Sequence, residues 1–361
     1  MSLTERPMKT GSCVQRMSSL SGEIRTAWIH AIDSAGLNPS LAPGWLEVAA
    51  GSLGRYDESF IYYECQPNHA LSGVVPYLVR ERRMAGMRMS VLELGSNLVS
   101  NHPELVTADD NAGLLRRFLD AAPRWDVFHA SGIPMDGPTA AAIASVAKQL
   151  RVPLQVVPAD VSPYLPIVGT WQEFLAGQNK KFRYKQRRRK ELLQRRPDLE
   201  LKWYSETADF GTLLKDMLLV EEHSWKVESN IDIASIPAER EYHRRLLPFL
   251  AAEGMLLANV LHLEQAPVAY SLCCHRNGWI GQLKTSFDQK HAAWSPGAIV
   301  IGASVEKAFD LGAREFDFLG DSAQHKLAWT THARAHAGYF LFAPRPAPRL
   351  LGMLKTLRRT R

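Results

Sequence analysis

Twice along the chain, helical periodicity gives way to three extended segments in a row and then to alternating helix and strand. In the first half, helical spacing from about Ile24 to Ile32 and again near Trp45 precedes SFIYYEC (59–65), GVVPYLVRE (73–81) and MSVLELG (89–95). A helical run at 111–121 leads to WDVFHASG (125–132), a helix at 138–150 and a short strand, LQVVP (154–158). In the second half, Thr170 and Glu173 spell a capping box ahead of a helix through Trp171, Phe174 and Leu175, and helices at about 208–226 and 239–253 follow. Three strands come next, MLLANVLHLE (255–264), PVAYSLCCHR (267–276) and WIGQLKTSF (279–287), joined by turns at Glu264-Gln265 and Arg276-Asn277-Gly278. A helix at 297–311, REFDFLG (314–320) and GYFLFAP (338–344) close the order. Successive strands joined by tight turns pair antiparallel, whereas a strand–helix–strand passage needs a parallel crossover. The order therefore predicts an α+β chain with a mixed sheet, built as two copies of one unit. No obvious residue identity links the halves, so the order of elements alone carries this expectation.

A length of 361 residues suits two domains, and 46% hydrophobic with 22% charged residues suits a buried core. That composition excludes wholesale disorder, a collagen-like fibre and a disulfide scaffold. The boundaries predicted are a flexible terminus over 1–22, one domain over 23–160, a second over 161–345 and a basic amphipathic helix over 346–361. Four cysteines, two isolated (Cys13, Cys65) and two adjacent in an apolar strand (Cys273, Cys274), read as reduced thiols. The N-terminal stretch has no apolar signal core, and no run of about eighteen apolar residues occurs. A cytoplasmic protein is expected, with the inner face of the membrane as one place of residence. The formal net charge of +6 tolerates anionic partners.

Much of that charge is concentrated. Lys180, Lys181, Arg183, Lys185, Arg187, Arg188, Arg189 and Lys190 fall within eleven positions that contain no acid. As a helix, the run places Arg183, Arg187 and Lys190 on one face, and such density calls either for an anionic partner or for a solvated face. Ser295-Pro296-Gly297-Ala298 spells a helix start, either a plain cap or a site whose free amides attract a phosphate. Lys326 follows a strand end near Asp317 and Asp321. An ammonium there can neutralise a developing oxyanion, and a carboxylate can take the proton of an attacking amine. Asp317 reads equally as a cap on the next turn. His223 and Trp225, then Tyr242 and His243, with Lys226, Lys284 and Asp288, are candidates to line an acceptor pocket, against which stand ordinary packing and, for Asp288, a turn residue. His332 and His336 lack a third ligand, and no metal is expected. From Arg349 to Arg361, Leu350, Met353, Leu354 and Leu357 share one helical face amid basic residues. That helix suits an anionic lipid surface or docking on the protein body.

The segment WSPGAIVIGASVEKAFDLGAREFDFLGDSAQHKLAW (294–329) resembles the signature of the FemAB/CelD-like acyltransferases, tandem members of the GNAT (Gcn5-related N-acetyltransferase) superfamily. Its parts are Phe287-Asp288, Ser295-Pro296-Gly297, Phe316-Asp317-Phe318 and His325-Lys326, supported by the Arg-rich stretch after Phe182, Ser224-Trp225-Lys226 and Tyr242-His243. The likeness covers about residues 165–345. It departs from the family at His325, where a tyrosine usually precedes the lysine, so the role of that tyrosine passes to an imidazole or is lost. The resemblance implies two tandem GNAT-like domains, each a three-layer α/β/α arrangement. It further implies that acyl-CoA or acetyl-CoA is cradled at Ser295–Ala298, or that an aminoacyl-tRNA serves as donor. Arg183 and Arg187 would then meet substrate phosphate. The function expected is transfer of an acyl or aminoacyl group to an amine or hydroxyl on a small molecule or cell-envelope precursor. The alternative is a nucleic-acid or membrane-surface binding protein on an inactive scaffold of the same fold.

Overall fold

A computed structural model describes residues 11–66, 70–95, 102–107, 110–205, 209–320 and 322–357. The chain divides into two compact units, one of residues 1–161 with 334–361 and one of residues 162–333.

The first unit opens with β1 (Gly11–Arg16), α1 (Gly22–Ala35) and α2 (Pro43–Ser52). Ile24, Trp28 and Ile32 recur every four residues, so one stripe of α1 is buried while the rest meets solvent. The strands β2 (Ser59–Cys65), β3 (Leu71–Met84) and β4 (Met87–Leu94) form an antiparallel meander. Its second turn, Ala85-Gly86, has both residues at positive φ, the geometry that matches strand twist in a two-residue hairpin. After β5 (Val106–Thr107), α3 (Asn111–Ala121) crosses to β6 (Val127–Pro134), which lies parallel to β4. Then come α4 (Pro138–Leu150) and β7 (Leu154–Pro166), whose last five residues belong to the second unit.

The second unit repeats this plan. After α5 (Trp171–Gly177) and α6 (Lys180–Arg195), β8 (Leu199–Tyr204) pairs with β9 as β1 pairs with β2. Two helices, α7 (Phe210–Glu222) and α8 (Pro237–Ala252), precede the meander β9 (Leu256–Leu263), β10 (Ala266–Arg276) and β11 (Trp279–Phe287). The crossover helix α9 (Pro296–Asp310) then leads to β12 (Glu315–Asp317), parallel to β11, and to the single turn α10 (Gln324–Leu327). Helices cover both faces: His262 on β9 bonds Asp216 of α7, whereas Asn259 donates to the Val300 carbonyl and Ser304 of α9. Chain order thus gives the mixed α+β sheet and the three layers expected. The capping box at Thr170–Glu173 forms with both of its bonds.

Three differences from the sequence reading have clear causes. Residues 11–16 are not loose: they pair along β2 from Gly11↔Cys65 to Arg16↔Phe60, and Met17 is buried beyond them. The strand begun by LQVVP continues to Pro166, and its final residues pair with β12. The last strand, β13 (Ala333–Phe342), does not close the second unit. It pairs antiparallel with β6, and α11 (Pro346–Leu357) follows it onto the first unit, placing Leu351 against Phe342 and Val127. A hydrophobic strand near the end of a chain says nothing about which edge it will seek.

Candidate active site

The defining feature of the second unit is the way its two parallel strands part. β11 and β12 pair only through Trp279–Gly281 and Glu315–Asp317. One residue later the β10–β11 register shifts, so that Leu272 faces Lys284 and Cys273 faces Gln282, leaving Leu283 as an extra residue. A bulge of this kind bends the strand and takes a residue out of the ladder. β11 runs on to Phe287, whereas β12 ends at Asp317 and turns away through Leu319 and Gly320, both at positive φ. The strands therefore diverge at their carboxyl ends, where open α/β sheets place ligands.

The start of α9 lies at that same strand end. Asp288 is largely buried and caps the short turn 289–294, accepting from the Lys290 amide at 2.9 Å. Ser295 then adopts a left-handed conformation, Pro296 takes the first helical position, and no side chain caps the helix. Pro296 has no N–H, Gly297 is buried and the Ala298 amide donates to the Ser295 carbonyl at 3.0 Å, so what this start offers an anion is chiefly the positive end of the helix dipole. Gly297 has a packing role, because a Cβ there would sit 2.9 Å from the Phe287 ring. The crossover helix of the first unit differs: Asp110 caps α3, and its carboxylate occupies the place an anion would take.

On the α7 face of the sheet, buried charges gather around Glu221. Its carboxylate accepts from Lys226 Nζ at 2.6 Å, Tyr270 OH at 2.6 Å and the Ile233 amide at 2.8 Å, and Lys284 Nζ lies 3.9 Å away. Lys226 also donates to the Thr285 carbonyl on β11. Burial pushes the Lys226 ammonium down to about 8 against the pull of Glu221, and burial beside Glu221 holds the Tyr270 phenol well above its usual range. His243 of α8 donates from Nδ1 to the Glu239 carbonyl; burial, with Lys284 and Lys226 nearby, lowers its imidazole to about 4. Three of the residues singled out from sequence, Lys226, Lys284 and His243, are thus brought together. Trp225 points elsewhere and is 46% exposed. Glu221 and Tyr270 were missed. The one signal for Glu221 is an acid that breaks the apolar stripe of Leu213, Met217 and Val220 on α7, while Tyr270 is hidden in an apolar run.

Where β12 ends, Asp317 is fully buried; it accepts from Ser162 Oγ at 3.2 Å and from the Leu319 amide at 2.9 Å. The carboxylate is engaged in holding the turn. Lys326 of α10 donates to the Leu319 carbonyl at 2.6 Å, so the ammonium spans the left-handed pair Leu319–Gly320. His325 is exposed, and Asp321 lies outside the described residues.

The basic run forms α6, with Asn179 as its cap and Gln186 its buried residue. Arg183 is exposed and donates to the Ala176 and Gln178 carbonyls, so it closes the end of α5 rather than facing inward. Arg187 and Arg188 flank the Tyr184 ring, and Arg187 lies 3.7 Å from Glu191. Among the described residues, no group of three metal-ligating side chains occurs.

Residues 180–327 match a protein-family model described as an acetyltransferase (GNAT) domain. Among solved structures, FemX aligns with a TM-score of 0.62 at 11% identity, over 94% of this chain and 100% of its own. A conserved protein of unknown function from Bacteroides thetaiotaomicron VPI-5482 aligns with a TM-score of 0.61 at 12% identity, over 91% and 99%. L-PGS from Bacillus licheniformis aligns with a TM-score of 0.50 at 11% identity, over 93% and 97%. No curated protein matches the sequence. Identities this low speak for the fold alone.

Proposed function

We propose, for a chain with the FemAB-like tandem GNAT fold and a GNAT acyltransferase domain at 180–327, that the second unit transfers an acyl group from an acyl-CoA thioester to an amine. One observation carries this reading: the strand opening beyond Gly281 and Asp317 and the uncapped start of α9 share one end of the sheet. A thioester lying in the opening would place its phosphates toward the positive end of the α9 dipole, beside Ser295. Its carbonyl would lie against the bulge at Leu283, where backbone amides outside the ladder can stabilise the oxyanion. Attack by a neutral amine forms the new C–N bond; collapse of the tetrahedral species expels the thiolate, and the amine's proton leaves with it or to solvent. The acceptor would approach from the α7 face, where Lys284 offers positive charge to an anionic group such as that of an envelope precursor, while Lys226 is held by Glu221 and the Thr285 carbonyl. Lys326 would keep the Leu319–Gly320 turn in place beside the reacting carbonyl.

The single-site choice follows from the caps. Asp110 fills the start of α3, whereas Ser295 leaves the start of α9 open. A second donor, an aminoacyl-tRNA, is favoured by the exposed Lys180, Lys181, Lys185 and Arg188 along α6.

The test is Ser295→Asp. Aspartate tolerates left-handed backbone, so folding should be unharmed. Its charge at the helix start should weaken acetyl-CoA or longer acyl-CoA binding about tenfold, measured by calorimetry. Unchanged affinity would remove the phosphate from α9. Tight binding of aminoacyl-tRNA with no binding of any acyl-CoA would favour the second donor. Binding of nucleic acid or lipid without turnover of either donor would favour an inactive scaffold.

A further inference from the structure

The C-terminal helix α11 is apolar on two sides. Leu351 faces inward, buried with Met89, Val91, Val127 and Phe342, and Gly352 beside it approaches Phe342 and Pro153 so closely that a Cβ would clash. Leu350, Met353 and Leu354 lie on the opposite side and are 59%, 44% and 52% exposed. Positions i, i+3 and i+4 form one continuous patch on a helix, so these are not scattered single residues of the kind every surface carries.

The strand register shows what adjoins this patch. Arg82↔Met89, Met84↔Met87, Val91↔Val127 and Phe342↔Val127 put Arg82, Met84 and Met87 on the sheet face that α11 covers. Met84 packs on the same cluster as Leu351, and Met87 is exposed at the hairpin tip. Cations surround the apolar residues. Arg349 is exposed on the helix, Lys355 lies over the Phe340 ring, and Arg82 is exposed on the sheet face that α11 covers. Arg83 and Arg88, cross-strand partners, are exposed at the hairpin tip on its other face. The acids beside them are Glu93, which is buried and bonded to Arg82, and Glu81, 3.4 Å from Arg88. Beyond Leu357 the sequence reads Arg-Arg-Thr-Arg, with no acid.

We propose that the outer face of α11 and the tip of the β3–β4 hairpin together dock the first unit on an anionic lipid surface. The chemistry selects lipid in two ways. Leucine and methionine are apolar and adaptable, so they suit a fluid boundary more than a fixed complementary surface. A rim of arginine and lysine adds attraction to anionic headgroups, and interfacial helices gain affinity from both terms. The idea goes beyond acyl transfer, because it concerns the first unit and holds whichever donor is used.

The test is co-sedimentation of the full chain with vesicles of phosphatidylcholine alone and of phosphatidylcholine mixed with phosphatidylglycerol. The chain should partition onto the mixed vesicles, with binding weakened by raising salt. Replacing both Leu350→Glu and Leu354→Glu should reduce binding on the order of tenfold or more, since two exposed leucines lose their burial. Arg83→Glu with Arg349→Glu should reduce it to a similar degree. All four side chains are exposed, so a thermal melt should be unchanged in both variants. Equal binding to neutral vesicles, or no loss in the leucine variant, would overturn the proposal. So would a dimer in light scattering that Leu350→Glu dissolves while vesicles capture nothing, which would assign the face to a second copy of the chain.

Discussion

A buried imidazole that stays neutral makes stability depend on pH in a direction fixed by its shift. His243 titrates near 4 in the folded protein, against about 6.5 in an unfolded chain. Below 6.5 the unfolded state therefore binds the extra proton, so stability falls as pH drops from 6.5 and the loss levels off near 4. At 1.36 kcal/mol per pH unit, the full effect is about 3 kcal/mol. His243→Asn should keep a donor toward the Glu239 carbonyl and remove the titration. Chemical denaturation across pH 4 to 7 should show a shallower acid limb in that variant; an unchanged slope would assign it to other groups. Lys326 is the second residue whose removal is informative. Its ammonium holds the Leu319–Gly320 turn through the Leu319 carbonyl, so Lys326→Ala should lower the thermal midpoint and kcat together. A fall in kcat of roughly a hundredfold with the midpoint unmoved would instead assign the lysine a direct contact with the reacting carbonyl.

At the scale of elements, the junction of β11 and α9 is set by how closely a helix can approach a strand. Gly297 faces the Phe287 ring with no room for a Cβ, so Gly297→Ala must displace that ring or the helix start. Overpacking of this kind costs about 1–3 kcal/mol, and a urea midpoint lowered accordingly should accompany weaker acyl-CoA binding. A midpoint equal to wild type would mean that Phe287 swings aside freely. This packing was not legible in Ser295-Pro296-Gly297, which announced a helix start and nothing about its neighbour. The elements that sequence did show are those with local causes: the Thr170–Glu173 capping box, the turns at Glu264-Gln265 and Asn277-Gly278, and the four-residue spacing along α1. Those it hid depend on partners far along the chain. β8 has a polar, half-exposed pattern that becomes a strand only beside β9, and β1 only beside β2. The site divides in the same way. Lys226 stood out through the Ser224-Trp225-Lys226 likeness and Lys284 as a candidate for the acceptor pocket, whereas Glu221 and Tyr270 acquire meaning only when α7 packs on β10.

For the molecule as a whole, the repeated order of elements did describe two copies of one plan, but it did not show where each copy is completed. The second unit, residues 162–333, is continuous in sequence, and its β12 is flanked by the last residues of β7. The first unit is discontinuous. Its β6 needs β13, which enters from residue 334 onward, and its Val127–Phe342 cluster needs Leu351 of α11. A fragment of residues 1–161 would therefore expose one edge of β6, with the backbone groups that β13 satisfies left to solvent or to other copies. It would also uncover Val91, Val127 and Met89. The same 1–161 fragment co-expressed with residues 334–361 regains the missing strand, and the 162–333 segment contains every element of its own sheet. The expected outcome is that 162–333 melts cooperatively by circular dichroism and binds acyl-CoA, that 1–161 alone aggregates, and that adding 334–361 restores a soluble, folded first unit. If 1–161 instead melts cooperatively by itself, β13 is dispensable to that unit. The exchange of closing strands would then be a feature of the chain's path and not a condition of its folding.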